Sequence, residues 1–270
     1  MSADPSPLAA EESGSGPPVI FLHGSFSNSD HAWVRQRPLA NQLRLILADR
    51  PGYGRTPPTA DRTIPGQAAS VIALADRLEL NGLHLAGWSY GGVVALAAAL
   101  ELHAARRLRS LTLIEPPLLG IARDDPGVAS FLERVRGIWD RASAGARPQE
   151  WILEFLAGVN PPGDADLPRK RAWPVYLAGA EPFIAEQRPH EYVPDARRLR
   201  ALEVPALLVT GAQGAAWLHE ITARLAALLP RPLRLEVPGQ GHGAQFGAET
   251  FNPALLHHVL TAESDHRPAR

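Results

Sequence analysis

Cysteine is absent from this 270-residue chain, which excludes disulfides, thiolate metal sites and a cysteine nucleophile. The chain also lacks any apolar run near the roughly 18 to 20 residues that span a bilayer, and its N-terminus, MSADPSPLAAEESGSGPP, lacks the basic and apolar regions of a signal peptide. An excess of charge of one sign is missing as well, because the formal net charge is −1 and no basic stripe stands out. We therefore expect a cytoplasmic protein that binds neither nucleic acid nor membranes.

The chain does contain a regular alternation of short apolar runs and longer amphipathic stretches. Continuous apolar runs such as PVIFLHG (18–24) and LHLAGWS (83–89) are typical of strands in a parallel sheet that is covered on both faces. Helical stretches between such strands predict right-handed crossover connections. The sequence therefore predicts an α/β fold with a doubly wound, mainly parallel sheet.

Two regions depart from this alternation. Residues 1–16 are short of aromatic and large aliphatic residues, which favours a flexible N-terminal segment. Residues 118–199 are rich in aromatic residues and proline, and we interpret them as a mainly helical cap inserted into a core formed by residues 17–117 and 200–270. Such a cap would cover the C-terminal edge of the sheet, where open α/β sheets bind their ligands.

A serine between two glycines is the first candidate for chemistry. The segment Gly87-Trp88-Ser89-Tyr90-Gly91 fits the pattern G-x-S-x-G and lies between an apolar run and an alanine-rich stretch. Small flanking residues permit the sharp strand-to-helix turn that exposes a nucleophilic hydroxyl. The alternative is that Ser89 only caps the following helix. The strand before it and the helix after it favour the nucleophile.

With these residues the chain resembles the α/β-hydrolase superfamily, in its cap-bearing serine hydrolase branch. The resemblance covers residues 17–117 and 200–262 and rests on four motifs in order, namely His23-Gly24, DRPGYG (49–54), the serine segment and GQGH (239–242). The family order of serine, acid and histidine implies that His242 is the general base that activates the serine. The remaining C-terminal histidines, at positions 257, 258 and 266, are interpreted as a helix face and solvated residues.

The acid of the implied triad is the unusual feature. Most of the superfamily carries an aspartate in the loop after the strand PALLVTG (205–211), but residues 211–216 here contain no carboxylate. Some branches, including certain haloalkane dehalogenases and lipases, carry the acid one strand earlier, and this resemblance implies Glu115 at the end of RSLTLIEPP. A carboxylate there would orient the imidazole and stabilise its charged form.

Several other roles for these carboxylates remain open. Glu115 could instead cap a turn or pair with a cap arginine, and Asp195 and Glu220 are more distant candidates for the acid. Asp49 precedes the serine and therefore breaks the family order. Asp49 and Arg50 belong to the motif DRPGYG, which in the family is a structural turn, so we leave both out of the site.

The resemblance also implies an oxyanion hole and a pocket. Its two backbone N–H donors are expected from Tyr90, which follows the nucleophile, and from Ser25, with Phe26 as the next candidate. The loop reads H-G-S-F and not H-G-G-G, which argues against the esterase branch known for bulky tertiary-alcohol esters. Trp88 and Phe26, together with the aromatic cap, indicate an apolar pocket for a small-molecule substrate.

The favoured function is hydrolysis of a carboxylic ester, lactones and thioesters included, of a small to medium apolar or aromatic substrate through an acyl-enzyme. A carbon–carbon bond hydrolase or a perhydrolase would use the same three residues. A cofactor-independent oxygenase would need the histidine as a base but not the serine as a nucleophile. Because the usual aspartate is missing, a ligand-binding protein without enzymatic activity is the remaining alternative. No cofactor and no metal ion are expected.

The N-terminal edge of the sheet is a second departure from the family. Family members usually carry two antiparallel strands before the strand that ends in His-Gly, whereas residues 1–17 leave room for one short strand, within LAAEES. We therefore predict six or seven strands and a reduced N-terminal edge. The N-terminal tail or the partner in a homodimer could cover this edge.

Overall fold

The computed structural model describes residues 8–266, which contain one seven-stranded sheet flanked by helices. The strands are β1 (Ala10–Ser13), β2 (Pro18–Leu22), β3 (Arg44–Ala48), β4 (Leu83–Trp88), β5 (Leu108–Ile114), β6 (Ala206–Gly211) and β7 (Pro232–Val237). Their order across the sheet is β1-β3-β2-β4-β5-β6-β7, and every neighbouring pair is parallel except β1 with β3. The predicted doubly wound, mainly parallel α/β fold is confirmed.

Ten α-helices lie within the same residues 8–266. They are α1 (Ser29–Ala32), α2 (Ile64–Arg77), α3 (Tyr90–Ala104), α4 (Pro126–Ser143), α5 (Pro148–Val159), α6 (Trp173–Ala178), α7 (Ala180–Ala185), α8 (Ala196–Arg200), α9 (Ala216–Leu228) and α10 (Ala248–Asp265). Short 3₁₀ turns lie at Arg37–Asn41, Leu119–Ile121, Leu167–Arg169, Pro189–Glu191 and Ala244–Phe246. The sequence predicts residues 28–43 as mostly helical. The structure shows only α1 and the 3₁₀ turn Arg37–Asn41 there, and this turn has a proline near its start.

Apolar side chains fill both faces of the sheet, which explains the continuous apolar strands. One face packs against α2, α3 and α9, and the other packs against α1 and α10. Helix α3 is buried along almost its whole length, because its alanines and glycines allow close packing between the sheet and α2. This packing holds the strand-to-helix junction at Ser89 rigidly within the core.

The N-terminal edge of the sheet differs in part from the prediction. Residues 10–13 pair with β3 in antiparallel register, from Ala10 opposite Ala48 to Ser13 opposite Leu45, and Leu8 is buried. The prediction that residues 1–16 are flexible is therefore wrong for residues 10–13, because the hydrogen bonds to the β3 edge outweigh their weak local preference. Residues 1–7 of that prediction lie outside the described residues. The single antiparallel strand agrees with the predicted reduced edge.

Residues 118–199 hold helices α4 to α8, in agreement with their predicted helical character. Helices α4 and α5 pack together, and α4 and α7 reach each other through buried aromatic rings. The assignment of this segment as a separate cap domain stays a prediction. Among residues 8–266, no helix is long and apolar enough to cross a membrane, and no group of three or more histidine, aspartate and glutamate side chains is arranged to hold a metal ion.

Candidate active site

Ser89 occupies a strained turn between β4 and α3. Its backbone has φ 54° and ψ −127°, a region that a residue with a side chain rarely adopts and that costs on the order of 1 to 3 kcal/mol. A Cβ atom on Gly91 would lie 2.3 Å from the carbonyl oxygen of His23, and one on Gly87 would lie 2.5 Å from that of Gly91. Both flanking positions therefore require glycine. The Ser89 side chain makes no capping hydrogen bond to α3, so the capping interpretation does not apply.

His242 lies in the loop after β7 and connects the serine to a carboxylate. Its Nε2 atom is 2.9 Å from Ser89 Oγ, and its Nδ1 atom is 2.8 Å from Glu115 Oε2. Glu115 directly follows β5 and is completely buried, with 0% of its surface exposed. Its other oxygen, Oε1, accepts the Gly211 N–H at 3.0 Å. The three residues predicted as a triad thus lie in one hydrogen-bonded line.

Most members of the family are expected to carry an aspartate in the loop after β6. Here this loop leaves space for the Glu115 carboxylate. A Cβ atom on Gly214 would lie 2.5 Å from Glu115 Oε1. The remaining candidate acids are engaged elsewhere. Asp195 caps α8 by accepting the Arg197 N–H at 2.8 Å, and Glu220 accepts from Arg224 at 2.7 Å.

The backbone of His242 is held by two side chains. The Trp88 indole Nε1 donates to the His242 carbonyl at 2.6 Å, and Asn160 Oδ1 accepts the His242 N–H at 3.2 Å. The sequence predicts Trp88 as a pocket residue but does not predict its hydrogen bond to the His242 carbonyl. Asn160 was missed altogether, because it follows α5 in the cap segment and belongs to no motif. The contact becomes visible only in the folded structure, where a Cβ atom on Gly241 would lie 1.8 Å from Asn160 Oδ1.

The predicted oxyanion donors lie around Ser89. Tyr90 begins α3, where the first N–H groups of a helix have no partner within the helix. The loop of His23-Gly24 passes close over the serine, since a Cβ atom on Gly24 would lie 2.9 Å from Ser89 Cβ. Among residues 8–266, the backbone N–H groups of Tyr90, Ser25 and Phe26 have no acceptor. All three are therefore free to donate, and their role as an oxyanion hole stays a prediction.

A buried ion pair joins the cap segment to the Ser25 loop. Glu186 Oε1 accepts from Ser25 Oγ at 2.8 Å, and Glu186 Oε2 accepts from Arg50 Nη1 at 2.8 Å. Burial acts to lower the pKa of Arg50, but the Glu186 carboxylate together with Tyr53 and Tyr90 outweighs it, so the pKa is raised. Arg50 is left out of the site on sequence grounds, but in the structure it is linked to the Ser25 loop through Glu186. Asp49 has the structural role expected of it, because it accepts from backbone N–H groups of Ser29 and Arg55.

His23 is a second buried histidine near the serine, but it has a different role. Its Nε2 atom accepts the Arg50 N–H at 2.9 Å. Burial, together with the Arg50 charge, lowers its pKa to about 3, so the ring is neutral near pH 7. His258 on α10 is also buried, which corrects its interpretation as a solvated residue, whereas His257 and His266 are exposed as expected.

Two cavities reach Ser89 and His242. The first has an empty volume of about 470 Å³, and its walls are mainly aromatic, with Phe131, Trp139, Phe155, Phe183 and Trp217. The second, of about 900 Å³, is lined by the predicted pocket residues Trp88 and Phe26 and by polar groups such as Asn160. The serine hydroxyl therefore lies where an apolar chamber meets a more polar one. The sequence predicts an apolar pocket but not the rings that line the first cavity, which come from four helices, α4, α5, α7 and α9.

Known proteins resemble this chain in sequence and in fold. Residues 19–254 match the model of the α/β-hydrolase family. A pimeloyl-[acyl-carrier protein] methyl ester esterase of Aeromonas hydrophila is 35% identical over 126 residues, which are 45% of this chain and 47% of that relative, so the chain spans about half the length of the curated relative it matches. A putative carbamate hydrolase of Azorhizobium caulinodans is 26% identical over 259 residues, 92% of this chain and 93% of the relative.

Among solved structures, a thermophilic esterase from Thermogutta terrifontis superposes with a TM-score of 0.76 and 24% identity, covering 94% of this chain and 93% of the other. MenH from S. aureus superposes with a TM-score of 0.75 and 18% identity over 97% of this chain and 100% of the other. At these identities the two structures establish the shared fold and nothing further.

Proposed function

The chain belongs to the α/β-hydrolase family, and from this premise we propose that it is a serine hydrolase that cleaves carboxylic esters through an acyl-enzyme. The hydrogen-bonded line from Ser89 through His242 to Glu115 carries the proposal. A serine hydroxyl is a weak nucleophile near neutral pH unless a general base accepts its proton, and a neutral imidazole at 2.9 Å is such a base.

The proposed reaction has two halves that use the same groups. Ser89 Oγ attacks the ester carbonyl while His242 Nε2 takes its proton, and the buried Glu115 carboxylate stabilises the resulting imidazolium. Backbone N–H groups of Tyr90 and Ser25 donate to the carbonyl oxygen and stabilise its negative charge, each contributing about 3 kcal/mol in comparable sites. His242 then passes the proton to the leaving alcohol, and water attacks the acyl-enzyme in the same manner to release the acid.

The substrate we propose is a small to medium ester, lactone or thioester with an apolar or aromatic part. The aromatic walls of the first cavity support an apolar group beside the serine. The names of two relatives, a methyl ester esterase and a putative carbamate hydrolase, support attack on an acyl carbon. A carbon–carbon bond hydrolase or perhydrolase would use the same groups and is separated by the choice of substrate.

A cofactor-independent oxygenase or a ligand-binding protein would leave one observation unexplained, because neither needs a nucleophilic serine. The strained backbone of Ser89, the two obligatory glycines beside it and its hydrogen bond to His242 would then have no role. Strain of this kind persists where function requires it. The strained serine therefore favours the hydrolase.

Labelling with a fluorophosphonate and turnover of short-chain p-nitrophenyl esters test the proposal. We expect the wild type to be labelled and active, and Ser89→Ala to lose both the label and on the order of 10⁶-fold in turnover. Ser143→Ala, on the exposed end of α4, is the matched control and should keep both. A wild-type protein that neither takes the label nor turns over any ester would rule out the serine hydrolase.

A further inference from the structure

The apolar cavity beside Ser89 contains a positive charge that no nearby carboxylate neutralises. Arg188, which follows α7, lines this cavity together with Trp139. Its Nη1 atom donates to the carbonyl oxygens of Ile184 at 3.1 Å and Phe183 at 3.4 Å. Its guanidinium carbon lies 4.6 Å from the centre of the Trp139 ring. These contacts hold the guanidinium in place without cancelling its charge.

The contrast with Arg50 shows that this charge is unmatched. The only carboxylate in the cavity wall is Glu186, and it is already paired with Arg50 at 2.8 Å. Among residues 8–266, no carboxylate forms an ion pair with Arg188. Burial lowers the pKa of Arg188 more than the more distant carboxylates of Glu191 and Glu186 raise it. An arginine nevertheless stays protonated near pH 7, so the cavity wall carries one positive charge that has no ion-pair partner among residues 8–266.

A second polar group in the same wall lacks a partner. The indole Nε1 of Trp139 is buried and has no hydrogen-bond acceptor among the described residues. Its ring stacks with His190, with centroids 5.6 Å apart, and lies under the Arg188 guanidinium. A buried donor without an acceptor costs about 1 to 3 kcal/mol, which a ligand oxygen could offset. The Arg188 guanidinium and the Trp139 indole N–H are both donors, and neither offers an acceptor to a ligand.

We propose that Arg188 binds a carboxylate on the substrate, so that the preferred substrates are esters with an apolar body and a free acid group at the far end. The inference rests on the proposed function, because the ester carbonyl must lie at Ser89 while the apolar body fills the cavity. A single guanidinium among aromatic rings matches one negative charge, and its planar donors fit the two oxygens of a carboxylate. Phe131, Phe155 and Phe183 would surround the apolar body.

Binding to Ser89→Ala tests this inference without any turnover. The probes are monomethyl adipate, suberate and sebacate, and each is compared by calorimetry with its dimethyl ester, which has the same length but no charge. We expect the half-ester of one chain length to bind about 10-fold to 100-fold more tightly than its neutral partner, the range of a hydrogen bond to a charged group. The preference should fall for the shorter and longer chains, because the distance between Ser89 and Arg188 is fixed.

Three further variants in the Ser89→Ala background locate the charge that the probe senses. Arg188→Gln should abolish the preference for the half-ester while leaving the affinity for the dimethyl ester within about twofold. Arg188→Lys keeps the charge and should retain part of the preference. Arg136→Gln removes an exposed arginine from α4, outside the cavity, and should retain all of it.

Two results would overturn the inference. One is equal affinity for half-esters and dimethyl esters at every chain length. The other is a preference that survives in Arg188→Gln, which would place the carboxylate elsewhere, for instance at the N–H groups of Tyr90 and Ser25. Both outcomes are independent of the proposed function, because that function is judged by labelling of Ser89 and by turnover of neutral esters in the wild-type protein.

Discussion

The ends of the neighbouring strands β5 and β6 differ in what they present to His242. The strands run parallel, with Ile114 at the end of β5 opposite Val209, and β6 continues from there to Gly211. The end of β5 continues into Glu115, which is buried and bonded to His242 Nδ1 at 2.8 Å. The end of β6 is Gly211, whose loop carries no carboxylate and donates its own N–H to Glu115 at 3.0 Å.

This difference shows how the end of β6 accommodates a carboxylate that comes from β5. The loop after β6 leaves room for the Glu115 carboxylate and supplies a donor to it. Here Gly214 leaves the room, since a Cβ atom at that position would lie 2.5 Å from Glu115 Oε1. The acid on β5 and the small residues after β6 therefore form one structural unit.

Removing the carboxylate at the end of β5 should have the largest effect. We expect Glu115→Gln to lower kcat by about 10⁴-fold, because the amide can stabilise the wrong tautomer of His242 and cannot balance its positive charge. The measurement is ester turnover, with circular dichroism to verify the fold. Glu220→Gln, which alters a carboxylate paired with Arg224, is the control and should stay active. Near-full activity of Glu115→Gln would reject the acid at β5.

Filling the space at the end of β6 should have the next largest effect. Gly214→Ala would displace the Glu115 carboxylate, and a misplacement of about 1 Å can cost about 100-fold in rate. We expect kcat to fall while KM for a neutral ester changes little, because Gly214 lines neither cavity beside Ser89. Gly137→Ala, on α4 with only ordinary contacts, is the control; equal rates in both variants would contradict the coupling of the two strand ends.

A smaller effect is expected at the end of β4, the third strand end beside the histidine. Trp88→Phe keeps an aromatic ring but removes the donor to the His242 carbonyl at 2.6 Å. Leaving that carbonyl unpartnered should cost about tenfold in kcat. Trp33→Phe removes an indole N–H that has no acceptor among residues 8–266, so it should affect stability alone. If both variants kept wild-type kcat, the indole would be only a wall of the cavity.

The smallest effect is expected at a histidine that contacts β5 itself and not the loop after it. His258 Nε2 on α10 lies 3.2 Å from the Leu111 carbonyl of β5, and burial lowers the pKa of this histidine to about 4. Well above a pH of about 6.5 the ring is neutral in both folded and unfolded chains. As the pH falls from about 6.5 to about 4, only the unfolded chain binds the proton, so the free energy of unfolding decreases.

Urea denaturation of the wild type and His258→Leu at two pH values measures this contribution. The wild type should lose about 1 kcal/mol more than the variant between about pH 7.5 and pH 6, since the variant lacks the titrating group. Other buried histidines, such as His23, titrate in both proteins and cancel in the comparison. Parallel pH dependences in the two proteins would show that His258 does not titrate with a lowered pKa.

Local pattern was sufficient for much of the fold and for the centre of the site. Apolar runs predicted the parallel strands, and the glycines around Ser89 predicted the strained turn, because both follow from short-range backbone and burial requirements. The resemblance to the α/β-hydrolase family, and not local pattern, pointed to His242 and Glu115. Residues 10–13 form the short strand predicted within LAAEES and not the flexible segment predicted for residues 1–16, because β3, which is distant in sequence, supplies their hydrogen bonds.

The groups that complete the site were decided by the tertiary structure. Asn160 beside His242, Glu186 between Arg50 and Ser25, and the unmatched Arg188 all come from the segment between β5 and β6. Asn160 and Glu186 are distant in sequence from the residues they contact, and no periodicity or motif records such contacts. Arg188 binds nearby carbonyl groups, but only the fold places it in the cavity wall. The chemistry of a few adjacent residues determined the candidate nucleophile, Ser89, whereas its environment depends on which distant side chains the packing of helices over the sheet brings together.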